Sequence, residues 1–202
     1  MPSARESLLS AALEALAQQP WSAVRMVDVA AAAGLSRQTL YNEFGSKDGL
    51  ARALVRREAD AYLQGVDRLL AAAVPGDFPD VGHRRREALA EWTIQEASEN
   101  RLLRALLTGC WGDRLPEPGI SPDGGPADAG PLTPGAMVAL VRDRLCATLA
   151  ADGFDCAAPR ESPDSAHGCE FAVRLTLSHV VAPAPVGEAR TAVGPLLCPV
   201  AD

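Results

Sequence analysis

Arg25-Met-Val-Asp-Val-Ala-Ala-Ala-Ala-Gly34-Leu-Ser36-Arg-Gln-Thr-Leu-Tyr41-Asn-Glu-Phe44-Gly-Ser-Lys47-Asp-Gly-Leu50 is the stretch that decides the fold. Its first half spaces apolar Val29, Ala30 and Ala33 along one face of a short helix. Gly34 then stands where a helix end needs a left-handed residue, a conformation that a Cβ penalises. Leu35 fills the inside of the turn, and the Ser36 hydroxyl is placed to cap the next helix. That helix turns Leu40 and Phe44, four residues apart, to the same side. Its other faces carry Arg37, Gln38, Thr39, Tyr41 and Asn42, all hydrogen-bonding groups. Two short helices joined by a tight Gly-containing turn, the second polar outside, form a helix-turn-helix whose second helix suits a DNA major groove.

Outward from this motif the chain continues to read as helix. Leu9, Ala12, Leu13 and Leu16 form an apolar stripe over a first helix at about 4–18, which Pro20 ends. Trp21 and Val24 lead into the motif. A long helix is expected over 46–73, with Ser46 as its cap and Asp48 favourable in its first turn. Leu50, Leu54, Ala61, Tyr62, Val66 and Leu69 mark its inner face, and Pro75, Gly76 and Pro79 close it. Three more helices follow at about 82–110, 134–152 and 163–182. Leu89, Trp92, Leu102, Leu103, Leu106 and Leu107 are the core candidates of the first. Residues 112–135 hold six Pro and six Gly and are expected to form a mobile surface loop. The Pro- and Gly-rich tail from Pro183 is expected to be partly disordered or to lie across the body. The fold class is therefore all-α. An N-terminal three-helix domain (1–50) is joined by the connecting helix 46–73 to a helical body (51–202).

Composition agrees with helices: 48% of residues are apolar, only 4% aromatic, and Ala and Leu abound. The net charge of −7 is the wrong sign for binding phosphates. Its distribution matters more. Residues 1–57 hold seven basic and five acidic side chains, whereas 71–202 hold eleven basic and eighteen acidic. Five cysteines, with no C-x-x-C pair, and only three histidines make a metal site poorly supported, although His167 and Cys169 lie two apart. No cofactor is implied. No stretch approaches a membrane span and no signal peptide opens the chain, so a cytoplasmic location is expected. Gly-rich phosphate loops and nucleophile elbows are absent, which argues against an enzyme.

From about Arg5 to Leu70, one third of the chain, the sequence resembles the DNA-binding domain of TetR-type transcriptional regulators. Val29-Ala30, Ala33-Gly34-Leu35-Ser36, Leu40-Tyr41, Phe44, Lys47 and Leu50 carry the resemblance. It implies a homodimeric, one-component regulator, a repressor that binds a near-palindromic double-stranded DNA operator and is released by a small-molecule effector. The DNA-contacting set would be Arg25, Ser36, Arg37, Gln38, Thr39, Tyr41, Asn42 and Lys47. Arg37 is suited to a guanine or to a phosphate, Gln38 to adenine and the Thr39 methyl to thymine. By resemblance, Tyr41 contacts phosphate while also packing, and Lys47 clamps the DNA backbone. Ser36 reads more as a cap than as a base contact.

Two positions depart from the family pattern. Arg25 stands where a capping Thr is usual, which weakens that cap but offers a cation to phosphate. Glu43 stands where a phosphate-friendly residue is common. It must point away, pair with an arginine, or accept from cytosine N4.

In the body the resemblance implies a ligand pocket and a dimer interface built from the last two helices. Trp92, Leu106, Trp111 and Phe171 are the pocket candidates, and the scarcity of polar groups there favours a hydrophobic effector. Leu140, Leu145, Leu149, Leu175 and Val180, with Phe171, are the interface candidates, although each also suits a monomer core. A dimer would set two reading helices about 34 Å apart. The alternative is a TetR-fold ligand-binding or interaction protein that has lost specific DNA binding.

Overall fold

The computed structural model describes residues 3–72, 80–117, 132–159, 162 and 165–183. Eight α-helices and one short 3-10 turn, and no strand, occur among them, as the all-α reading requires. The chain divides into two compact units, Met1–Ala59 with Gly109–Leu132, and Asp60–Thr108 with Thr133–Asp202. The division therefore falls inside the connecting helix, later than residue 50.

In the first unit, α1 (Ala4–Gln18) starts at Ser3, whose side chain accepts from the Glu6 amide. Its buried face is Leu8, Leu9, Ala11 and Ala12, while Leu13 and Leu16 are only half-buried. Both α2 (Met26–Ala32) and α3 (Arg37–Phe44) pack on α1, which moves the buried face toward its first half. The 3-10 turn Trp21–Ala23 buries Trp21, whose amide donates to the Arg114 carbonyl at 2.9 Å. Pro116 is buried as well, so the segment expected to be a mobile loop begins as a packed strap. The rest of that segment (118–131) and the tail from 184, with Cys198, lie outside the described residues.

The helix-turn-helix forms as its residues dictate. Gly34 takes φ 66°. The Leu35 amide donates to Ala30 O and the Gly34 amide to Ala31 O, the paired bonds that close a helix through a left-handed residue. Ser36 then caps α3 by accepting from the Thr39 amide at 3.0 Å. At the next turn Gly49 lies so close to the α3 end that a Cβ there would sit 1.9 Å from the Phe44 carbonyl oxygen.

α4 (Lys47–Ala71) serves both units. Leu50, Leu54, Val55 and Ala59 are buried in its first half, and Tyr62, Leu63, Val66 and Leu70 in its second. Ala61 is exposed and Leu69 half-buried, against expectation, because a face built on Tyr62, Val66 and Leu70 takes Leu63 with it and turns Ala61 outward.

The second unit adds α5 (Asp80–Glu99), α6 (Arg101–Thr108), α7 (Pro134–Ala151) and α8 (Ala166–Val181). The expected single helix over 82–110 is thus two. Asn100 breaks it, its side-chain carbonyl accepting from the amides of Leu102 and Leu103 at 3.0 Å each. Thr133 and Ser165 cap α7 and α8 in the same manner. Arg85 joins three elements: it donates to the carbonyls of Leu70 and Ala72 at the end of α4 and pairs with Asp152 beyond α7. Arg144 reaches Asp67 of α4 at 2.8 Å. Among the described residues, no helix is long and apolar enough to cross a membrane.

The Asn100 cap is open to test. Asn100→Ala should lower unfolding stability by about 1 kcal/mol in urea titration, and Asn100→Asp should retain most of it.

Candidate nucleic-acid interface and apolar cavity

The outer face of α3 is a row of paired side chains. Gln38 Nε2 donates to Asn42 Oδ1 at 2.9 Å, and the Arg37 guanidinium lies 5.5 Å from the Tyr41 ring centroid. Both pairs are four residues apart and so lie along one helical face. Arg37, Gln38, Tyr41 and Asn42 are exposed, while Thr39 is half-buried and shares a 2.9 Å hydroxyl contact with Ser36. Ser36 is thus occupied by its cap. Beside them, Lys47 donates to the Ser22 carbonyl at 3.2 Å and stands 5.2 Å from the Trp21 ring centroid. The first turn of α4 and the 3-10 turn thereby hold its ammonium in place.

The two departures from the family pattern are resolved by partners. Arg25 gives α2 no side-chain cap; it forks onto Asp28 through Nε at 2.7 Å and Nη2 at 3.0 Å. That bond raises the Arg25 pKa further. Glu43 meets the first of its expected alternatives to be satisfied inside the fold, an arginine. Arg5 lies 3.6 Å from its carboxylate, donates to its backbone carbonyl at 3.3 Å and covers the Phe44 ring at 4.7 Å. The i, i+3 spacing of Arg25 and Asp28 was visible in the sequence. Arg5 and Glu43, 38 residues apart, offered no local signal.

In the second unit, five helices enclose an apolar cavity. Its walls are Tyr62 of α4, Leu89 and Thr93 of α5, Leu107 of α6, Met137, Val138 and Val141 of α7, and Val173, Thr176 and Leu177 of α8. The centre of a water-sized sphere has only about 10 Å³ to move in, close to the least that holds one water. The Tyr62 and Thr93 hydroxyls meet at 3.0 Å. The Tyr62 ring stacks on Trp92 with centroids 5.4 Å apart and planes inclined by 10°. Gly65 permits this approach, since a Cβ there would fall 2.4 Å from the Trp92 ring. Burial pushes the Tyr62 phenol up to about 12, with Thr93 opposing and the Glu96 charge adding to it.

Trp92, Leu106, Trp111 and Phe171 do not line this cavity. Trp92 stacks behind Tyr62, Leu106 is fully buried, Phe171 is 54% exposed, and Trp111 belongs to the other unit. Apolar bulk marked them in the sequence, whereas the lining is contributed by other residues of α4 to α8. Among the interface candidates, Leu145, Leu149 and Val180 are buried within their own unit. Leu140 and Leu175 are half-buried, and Phe171 and Val181 are the large apolar side chains that α8 exposes. Cys146, Cys156 and Cys169 gather between α7 and α8, with Cys156 Sγ donating to the Cys146 carbonyl. Burial, first of all, raises the Cys146 thiol to about 12.

A family model for bacterial regulatory proteins, tetR family, matches residues 8–54, from the buried face of α1 through the helix-turn-helix into α4. Residues 8–54 thus carry the sequence pattern of the tetR-family DNA-binding domain. It is 40% identical over 105 residues to the HTH-type transcriptional regulator AlkX of Mycobacterium tuberculosis, a match covering 52% of this chain and 47% of that relative. The chain thus spans about half the length of the curated relative it matches. The TetR fold extends beyond that match. A tetR-family transcriptional regulator from Streptomyces coelicolor is similar with a TM-score of 0.58 and 18% identity, over 98% of this chain and 80% of that one. The fatty acid degradation regulator FadR from Bacillus halodurans is similar with a TM-score of 0.57 and 12% identity, over 98% and 95%.

Tyr62 should stay protonated until about pH 12. Its folded pKa lies above the unfolded value, so the neutral phenol stabilises the fold below about pH 10 and that contribution fades as pH rises through 12. The tyrosinate absorbance lost in Tyr62→Phe should appear only near pH 12 in the folded wild type. Gly65→Ala should cost about 1–3 kcal/mol of stability, since Trp92 must give way.

Proposed function

We propose that this protein is a DNA-binding transcriptional regulator, a homodimeric repressor released from a near-palindromic operator by a small-molecule effector. The observation that carries the reading is the outer face of α3. It offers Arg37, Gln38, Tyr41 and Asn42 exposed and pre-paired on a capped helix, with the acid of that helix, Glu43, held by Arg5. Side chains ordered before binding lose less entropy on docking. Arg37 and Gln38 would reach base edges from the first turn of α3. Tyr41, Asn42, Arg25 and Lys47 would meet phosphates, with Ser36 and Thr39 at the capped end.

A second copy is the partner that α8 suits. Phe171 and Val181 are exposed, with half-buried Leu175 between them in sequence and Leu140 on neighbouring α7. Residues buried in the chain's own core, Leu145, Leu149 and Val180, would support this surface from behind. The cavity walled by Tyr62 and Thr93 is the seat proposed for the effector. A ligand that prefers one shape of the second unit shifts the populations available for DNA binding.

DNA from upstream of the protein's own gene should give a specific gel shift at low salt that weakens steeply as salt rises. Arg37→Ala combined with Lys47→Ala should weaken it by tenfold or more, from about 1–3 kcal/mol for the base contact alone. Unchanged binding would place the reading face elsewhere, and no specific shift would favour a protein that has lost DNA recognition. Phe171→Glu should yield monomers in sedimentation and weaken operator binding while leaving the helical circular dichroism unchanged.

A further inference from the structure

The cavity's polar chemistry narrows what it accepts. None of its ten lining residues is Arg, Lys, His, Asp or Glu. A carboxylate or ammonium group entering it would shed its water with no charged partner to replace it, a cost that apolar burial does not offset. A neighbouring charge works further against an anion. Glu96, one turn along α5 from Thr93, adds its negative charge to the field at Tyr62.

Three lining side chains carry hydroxyls. Thr176 donates to the Ala172 carbonyl of its own helix at 2.9 Å, so its hydrogen is already used. Tyr62 and Thr93 share one hydrogen bond between two hydroxyls, which uses one hydrogen and leaves the other. The pair therefore presents one unspent donor in an otherwise apolar wall. A buried donor gains most from an acceptor that carries no charge of its own. The lining can also give way. Met137 is unbranched and adaptable, and Leu177 is only half-buried, so these two side chains are the ones free to repack.

We propose that this cavity binds an uncharged, mainly apolar molecule bearing one hydrogen-bond acceptor, such as a ketone, ester or ether oxygen, held by the Tyr62–Thr93 hydroxyl pair. The proposal rests on the cavity being the effector seat of a TetR-type regulator, and it deepens that reading by fixing the ligand's charge and polar group.

Calorimetry on the wild-type protein without DNA provides the test, using 2-octanone, octanoate and octylammonium as probes. The ketone should bind, and both ions should bind at least tenfold more weakly. Tyr62→Phe combined with Thr93→Val replaces both hydroxyls by groups of like shape, which leaves no orphan and keeps the urea midpoint near that of wild type. This variant should bind the ketone roughly five- to tenfold more weakly. An ion that binds as well as the ketone overturns the proposal, as does a double variant that binds the ketone undiminished, or no heat from any probe. A gel shift on the same preparation keeps the two readings apart. Intact operator binding with no ketone binding removes only the ligand class, while ketone binding without operator binding removes only the regulator.

Discussion

One unbroken helix has to satisfy two hydrophobic cores. α4 runs 25 residues, roughly 37 Å at 1.5 Å per residue, and the chain's two units divide within it. Its first half must bury Leu50, Leu54 and Val55, and its second must bury Tyr62 and Val66, all from positions fixed by the 3.6-residue period. Gly65, the interior glycine of its second half, costs helix stability, yet it is kept where the Trp92 ring leaves no room for a methyl group. Packing outweighs propensity at that position.

The N-terminal unit shows how local charge can be arranged against the global balance. A chain of net charge −7 is repelled by DNA at long range, but screening over about 10 Å at ordinary salt makes the nearest charges decide. There the two acids of α2 and α3 are paired: Asp28 with Arg25, and Glu43 with Arg5. Such exposed pairs contribute little to stability. Their consequence is to pair both carboxylates with cations, while Arg37 and the amides of Gln38 and Asn42 stay exposed on α3.

Elements whose determinants are local were legible in the sequence. Gly34, Ser36, Leu40 and Phe44 fix the helix-turn-helix through caps and i, i+4 spacing, and Thr133-Pro134 announces α7 by a cap and a proline at the first turn. The break at Asn100 was legible too, as a good cap in mid-helix, but the apolar run Leu102–Leu107 continues the period across it and conceals it. The cavity was not legible. Its lining comes from five helices, and neither the Tyr62–Thr93 bond, 31 residues apart, nor the Arg5–Glu43 pair leaves any local pattern. Of the bulky aromatics that suggested a pocket, Trp92 stacks on Tyr62 and Phe171 is exposed. A cavity lined from five helices depends on their packing, and periodicity within one helix does not reveal that.

The contacts around Tyr62 also limit how the second unit can deform. Tyr62 on α4 is fixed to α5 twice, by stacking on Trp92 and by its hydroxyl on Thr93. The flat side of the same helix, at Gly65, meets the Trp92 ring with no space left over. Close-packed interiors of this kind do not stretch gradually, and they move between discrete packings. Tyr62 cannot leave Thr93 by moving its ring without disturbing the 5.4 Å stack on Trp92. Arg85 resists the same displacement from the far end, since it holds the last carbonyls of α4 to Asp152.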